Sequence, residues 1–297
     1  MAVDTRAAER GEVVTPRLLR GWALPDPAGG KEARGQLLVV GGRREVPGAA
    51  RLAGEAGLRA GAGKLAIATV GSVAPALGVA VQEAAVLALD EDDDGNLAPS
   101  AASRILERAV RAGAVLAGPG FGDPDATVAL LEEVLPHVEA PVVLDAVASA
   151  YLTARPTGLA HLDGRAVLTV NVSELAATAG LGELAEDDAP AVAAEVAGRC
   201  GAVVLCGGEV KVVAAPDGRA WRVEGGTPGL GVSGSGDVQA GAVAGLLARG
   251  ADPSQAAVWG GYLHARAGER LAGAVGAVGF LARDLPPELP AVLTELA

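Results

Sequence analysis

Residues 36–70 read QLLVVGGRREVPGAARLAGEAGLRAGAGKLAIATV, and this stretch sets the architecture. QLLVVGG (36–42) is a continuous apolar run of the kind found in a strand buried on both faces. A glycine-rich turn follows it. PGAARLAGEAGLRAGAG has helical propensity, with Pro47 tolerated in the first turn, and KLAIATV reads as a second strand. The expectation is a strand, a helix and a second strand in succession.

The same alternation recurs along the chain. Helical SRILERAVRAG precedes strand AVLAG at 114–118, and helical DATVALLEEVLPHV precedes strand PVVLDA at 141–146. Strand AVLTV occupies 166–170, and helical PAVAAEVAGRC leads into strand AVVLC at 202–206. Short strands between longer helices predict a mostly parallel sheet covered by helices on both faces, a three-layer α/β fold. EVKVVAAPDGRAWRVEG departs from this pattern and reads as a hairpin closed by PDG. Beyond Asp237 the chain is expected to be all helical. Residues 1–30, with scattered charge and Pro25, Pro27 and a Gly-Gly pair, are expected to form an entry arm, and 31–297 a single domain.

Half of the 297 residues are hydrophobic but only 2% are aromatic, so the core must be built from Ala, Val and Leu. A formal net charge of −12 argues against a nucleic-acid-binding face. Any anionic ligand must then be held by local N–H groups, a metal or a few basic residues. Cys200 and Cys206 fit neither a zinc spacing nor a disulfide framework, and free thiols in a reducing cytoplasm are expected. The acidic N-terminal stretch MAVDTRAAERGEVVTP lacks the apolar run of a signal peptide, and no later segment is an uninterrupted apolar span.

Chemistry concentrates in a few loops. GVSGSGDVQAG (231–241) places Gly234, Ser235 and Gly236 before Asp237 at the start of a long Ala/Leu-rich helix. The exposed N–H groups of such a start attract phosphate, and a carboxylate there can accept or orient a hydroxyl proton. A plain helix cap is the alternative. GPGFGDP (118–124) lies between a strand and a helix, where α/β sheets bind ligands, but lacks the full dinucleotide fingerprint. Asp145 ends a strand at the same sheet edge. NVSE (171–174) reads either as helix-start chemistry or as a polar pair that orders magnesium-bound water. DEDDDGN (90–96) fails as a calcium loop because Ala101 stands where the bidentate Glu belongs, and GAGK (61–64) lacks a Walker loop's residues. His137, His161 and His264 are isolated, so a hydrolase triad or a histidine-rich metal site has little support.

Taken together, GGKEARGQLLVVGG, VPGAARLAGEAGLRAGAGKLAIAT, VLAGPGFG, VVLDA, LTVNVSEL, GVSGSGDVQAG and the tail GAVGAVGFLARDLPPELPAVL resemble, in order, the ribokinase-like superfamily. Within it they most resemble the ADP- or ATP-dependent NAD(P)H-hydrate dehydratases, over nearly the whole chain from about Gly30. The resemblance implies a ribokinase-like fold. It also implies a lyase that phosphorylates the hydroxyl of hydrated NADH or NADPH and eliminates phosphate, with ADP or ATP as donor and Mg2+ as cofactor. It makes Asp237 the base and a substrate contact, and sets Ala49, Gly120, Gly122 and Asn171 against the hydrate. Cys206, Gly207, Gly208, Glu209 and Val210 map to the AMP-binding stretch. Gly234, Ser235 and Gly236 lie at the nucleotide, with Glu174 a water-mediated metal contact. The partners expected are the hydrate and an adenine nucleotide, with no nucleic acid or membrane, in a homo-oligomer.

Two positions depart from the family pattern. Cys206-Gly207 replaces the usual Lys-Gly, with Lys211 five residues on, and Asn171 stands where a substrate-contacting His is usual. The resulting N-x-x-E resembles the superfamily's small-molecule kinases. A sugar or vitamin-precursor kinase is therefore the alternative activity, and a nucleotide-binding homologue with lapsed activity the alternative outside enzymes.

Overall fold

In the computed structural model, which describes residues 11–26 and 28–296, one sheet of ten strands runs through the molecule. The strands are β1 (Glu12–Val13), β2 (Gln36–Val40), β3 (Lys64–Val70), β4 (Ala84–Leu89), β5 (Ala114–Ala117), β6 (Val142–Asp145), β7 (Ala166–Asn171), β8 (Val203–Gly207), β9 (Lys211–Ala214) and β10 (Ala220–Val223). Their order across the sheet is β1-β10-β9-β8-β7-β6-β5-β2-β3-β4. Strands β4 to β8 and β2, β3 pair in parallel, while β8, β9 and β10 are antiparallel neighbours. The expected hairpin is thus present, turning through 215–219.

The 36–70 unit forms as its sequence implies. β2 and β3 pair from Gln36↔Lys64 to Val40↔Ala68, joined by the helix Pro47–Ala60. The central strands are apolar at nearly every position because helices cover both sheet faces. Val39, Val143 and Leu205 look toward the helices Pro47–Ala60, Ser235–Ala248 and Pro253–Ala274. Val40, Leu144 and Cys206 look toward Pro124–Val134, Val172–Ala179 and Ala189–Cys200. This is the expected three-layer arrangement.

Three features go beyond the sequence reading. Within the entry arm, residues 11–26 are built into the fold: β1 pairs with β10, Leu19 on the helix Pro16–Gly21 is fully buried, and Trp22 stacks on Trp221. AAVLAL at 84–89 adds the edge strand β4, which lacks the continuous burial of its neighbours. The third is the depth of the Ser235–Ala248 helix, of which only Gly236 and Asp237 are not buried. A Cβ on Gly241 or Gly245 would collide with the backbone of Ala53 or Gly57, so these two helices touch main chain to main chain. That contact holds the start of the Ser235–Ala248 helix in a fixed place.

Strand register decides what shares that place. Val40 pairs with Ala117, Asp145 with Thr169, and Asn171 with Gly207, so the loops after these parallel strands emerge along one edge. The order reverses between β2 and β5, where a doubly wound sheet opens a crevice.

Candidate active site

At the carboxyl edge of β6 to β8 lies a cavity of about 950 Å3. Its wall includes Asp145, Asn171, Glu174, the 207–211 stretch, the 225–228 loop and the start of the Ser235–Ala248 helix with Asp237. Gly234 caps that helix at φ +90, a left-handed conformation suited to glycine, and provides no side chain to the amides that follow. The N–H of Ser235 donates to Val232 O at 3.1 Å, and those of Gly236 and Asp237 remain for an anion, reinforced by the helix dipole. Ser235 Oγ lies 2.8 Å from Nε2 of the buried His264, on the Pro253–Ala274 helix.

Asp237 sits in the first turn, half-buried. Burial, followed by the charge of Glu174, pushes its carboxyl up to about 6. It is ionised at neutral pH yet far more basic than a surface aspartate, which suits a proton acceptor. Asp145 is 5% exposed and accepts a 2.7 Å hydrogen bond from Thr169 Oγ1. Burial, then the charges of Asp237 and Glu174, holds it well above the ordinary carboxylate range despite that bond. The next residue, Ala146, takes φ +49, an uncommon left-handed position for a non-glycine residue at the cavity wall.

Asn171 and Glu174 form the cap that the sequence offered as one reading. Glu174 N–H donates to Asn171 Oδ1 and Asn171 N–H to Glu174 Oε2, both at 2.9 Å. Ser173 Oγ–H also donates to Asn171 Oδ1 at 2.6 Å. The oxygen of Asn171 is thus engaged, leaving its amide nitrogen for a ligand. Burial raises the Glu174 carboxyl against the lowering effect of its bonds to Asn171.

The expected nucleotide stretch divides. Gly207, Gly208, Glu209 and Val210 line the cavity, and the N–H of Glu209 donates to Glu186. Cys206 does not line it: the thiol is 2% exposed, packs into the core on the Val172–Ala179 side, and is pushed up to about 12, chiefly by burial. Gly234, Ser235 and Gly236 all line the cavity.

Ala49 and Gly120 meet each other at the β2/β5 crevice, where a Cβ on Gly120 would come within 3.1 Å of Ala49 Cβ. Gly122 lines a separate small pocket with Arg43 and Phe121. These three are not on the wall of the large cavity.

Several cavity residues escaped the sequence reading as site members: Thr169, Lys211, Gln239 and His264. A signal existed for two of them, since a lysine opens the apolar strand KVVA and a histidine interrupts the apolar Pro253–Ala274 helix. Among the described residues, no three His, Cys, Asp or Glu side chains converge closely enough to hold a metal ion by themselves. The carboxylates here suit a cation that keeps water ligands and bridges to phosphate.

The three-layer fold, with an uncapped helix start and a carboxylate at the carboxyl edge of the sheet, is that of the ribokinase-like class. An Enterococcus faecalis ribokinase-like superfamily protein superposes at TM-score 0.80 with 20% identity, over 100% of this chain and 98% of that one. Residues 37–291 match the family model described as NAD(P)H-hydrate dehydratase, and the chain belongs to that family. It is 45% identical over 289 residues to the ADP-dependent (S)-NAD(P)H-hydrate dehydratase of Xanthomonas campestris pv. campestris, covering 97% of this chain and 98% of that one. The Bacillus subtilis ADP/ATP-dependent NAD(P)H-hydrate dehydratase, co-crystallised with ATP/Mg2+, superposes at TM-score 0.78 with 28% identity, covering 97% of this chain and 99% of that one.

Proposed function

We propose that this protein repairs hydrated NADH and NADPH, using ADP or ATP to phosphorylate the ring hydroxyl and then eliminating phosphate to restore the reduced cofactor. The carrying observation is Asp237: a carboxylate raised to about 6, set in the first turn of an uncapped helix inside the cavity.

In this reading the Asp237 carboxylate accepts the proton of the hydrate's hydroxyl, whose oxygen attacks the terminal phosphorus of the nucleotide. The bond from that phosphorus to its bridging oxygen breaks, releasing AMP from ADP or ADP from ATP. The N–H groups of Gly236 and Asp237 stabilise the transferring phosphoryl, because phosphoryl transfer depends mainly on positioning and charge stabilisation. The C–O bond to phosphate then breaks, the neighbouring ring carbon gives up a proton to solvent, and the double bond is restored as inorganic phosphate leaves. Gly207, Gly208, Glu209 and Val210 border the nucleotide, and Cys206 supports them from the core. Asn171 presents its amide nitrogen to the hydrate, and Ala49, Gly120 and Gly122 shape the part of the crevice nearest β2.

Mg2+ would be held through water by Glu174 and would neutralise charge on the phosphates. The fit rests on three carboxyl groups, Asp145, Glu174 and Asp237, all raised and facing one cavity.

We place the reaction in the cytoplasm, since Cys200 and Cys206 are both free and buried. Among the described residues, no helix is long and apolar enough to cross a membrane. We treat 31–297 as one domain with residues 11–26 of the entry arm packed on it, and expect a homo-oligomer, which sedimentation would test.

The deciding experiment follows the reduced-nicotinamide absorbance of hydrated NADH or NADPH with ADP or ATP and magnesium. Recovery of the band supports the reading. A stable phosphorylated product without recovery would make the protein a kinase, and binding without turnover a lapsed homologue.

A further inference from the structure

Lys211 is the one lysine or arginine among the residues lining the large cavity, where it shares the wall with Asp145, Glu174, Glu209 and Asp237. It is 6% exposed. As first residue of β9 it shares a sheet face with Val213, and its stem runs along the Pro253–Ala274 helix, with Cδ 3.8 Å from where a Cβ on Gly261 would stand. None of its contacts with the described residues amounts to a hydrogen bond or an ion pair. Removing an ammonium from water without a partner is costly, and the usual solutions are pairing or loss of the proton.

The carboxylates of that wall do not pair with it, and the groups beside it point to an anionic ligand. The nearby His264 is held neutral: burial, then the Lys211 charge, places it well below its ordinary range. His264 in turn meets Ser235 Oγ at 2.8 Å, at the start of the helix whose amides face the cavity. The charge of the lysine is thus felt at the histidine that holds the anion-attracting helix start. Cys206, five residues before Lys211, turns its thiol into the opposite core layer.

We propose that Lys211 is a phosphate-binding residue of this site, its ammonium contacting the phosphates of the donor nucleotide from β9 while the helix start at 235–237 contacts them from the other side. The proposal rests on the repair reading. It makes Lys211 the cation of the nucleotide site, reaching the phosphates from the sheet face opposite to the one that buries Cys206. Burial pushes the ammonium down to about 8, so it is mostly charged at neutral pH and gains most from an anion placed beside it. A lysine serves here as a point charge, which suits a phosphate that changes position during transfer.

The test compares wild type, Lys211→Met and Lys211→Arg for ADP and ATP affinity with magnesium, for affinity toward the hydrate, and for cofactor recovery. Lys211→Met keeps the stem and removes the buried charge. Its melting temperature without ligand should equal or exceed that of wild type, while ADP and ATP affinity falls roughly 10- to 100-fold. Hydrate affinity should change little, and Lys211→Arg should regain part of the nucleotide affinity. Wild-type ADP and ATP affinity in a folded Lys211→Met would overturn the proposal and leave the repair reading intact. Loss confined to hydrate affinity would also overturn it, by assigning the lysine to the other substrate. A wild-type protein that neither binds nucleotide nor restores cofactor would overturn both. Should the variants misfold, acetylation of the wild-type protein read by mass spectrometry decides the matter. ADP should protect Lys211 from labelling, and equal labelling with and without ADP would refute the contact.

Discussion

Ser235 Oγ and His264 Nε2 stand 2.8 Å apart, tying the first residue of one buried helix to the middle of another. The bond fixes the turn that carries Asp237, and both residues stand on the cavity wall. We expect His264 to serve the site as a positioning residue. We expect His264→Ala to cost about 1–3 kcal/mol in stability by leaving Ser235 without its partner. We also expect it to lower kcat more than it raises KM. Wild-type kcat in a folded His264→Ala variant would remove this role.

The same histidine sets an acid limit on stability. Its folded pKa lies well below 6.5, so the unfolded chain binds a proton that the native state refuses. Native stability from this group is therefore full above about pH 6.5 and declines as pH falls below that value. Denaturant titrations from pH 7 to pH 5 should show the decline, and it should be smaller in His264→Gln.

Asp237 works in the opposite sense. Its pKa rises from 3.8 to about 6 on folding, so the native state binds the proton more tightly than the unfolded chain. Stability from this group is present at low pH and lost as pH rises toward and through about 6. Asp237→Asn should fold, lose roughly 100-fold or more in turnover, and be more stable than wild type above pH 6 by on the order of 2 kcal/mol. The stability difference should fade below about pH 4. In wild type, kcat/KM should climb with pH until it levels above about 6. An Asp237→Asn enzyme with near-normal turnover would exclude Asp237 as the base.

Gly236 offers a clean probe of the phosphate turn. A Cβ there would meet nothing within 4 Å, and its φ is not in the left-handed region, so the folded protein tolerates a side chain. Gly236→Val should melt near the wild-type temperature but bind ADP and ATP more weakly, because the new methyl groups stand where phosphate approaches. Unchanged nucleotide affinities would make this turn structural only.

Asn171 separates capping from recognition. Asn171→Ala should lose about 1 kcal/mol of stability with the cap. Asn171→Ser keeps an acceptor for the Glu174 amide and should retain most of that stability, but it has no amide nitrogen to offer. A raised KM for the hydrate in Asn171→Ser, at nearly unchanged melting temperature, would show the nitrogen acting on substrate. Equal KM values would leave Asn171 as a cap alone.

Local order wrote much of this protein into its sequence. The apolar runs at 36–40 and 64–70, the helix between them and the PDG hairpin follow from hydrophobic pattern and turn chemistry, which act over neighbouring residues. The Gly-Ser-Gly-Asp start was legible for the same reason, since capping involves residues a few positions apart. Which way Cys206 and Lys211 point was not legible. A strand alternates its side chains, but only the sheet's neighbours and covering helices decide which face meets a cavity and which meets the core. Nor could the sequence place His264 beside Ser235, 29 positions apart, or set Glu174 where its charge adds to burial in raising both Asp145 and Asp237. Burial and through-space charge belong to the assembled molecule, and they turned Asp237 from a helix-start aspartate into a candidate base.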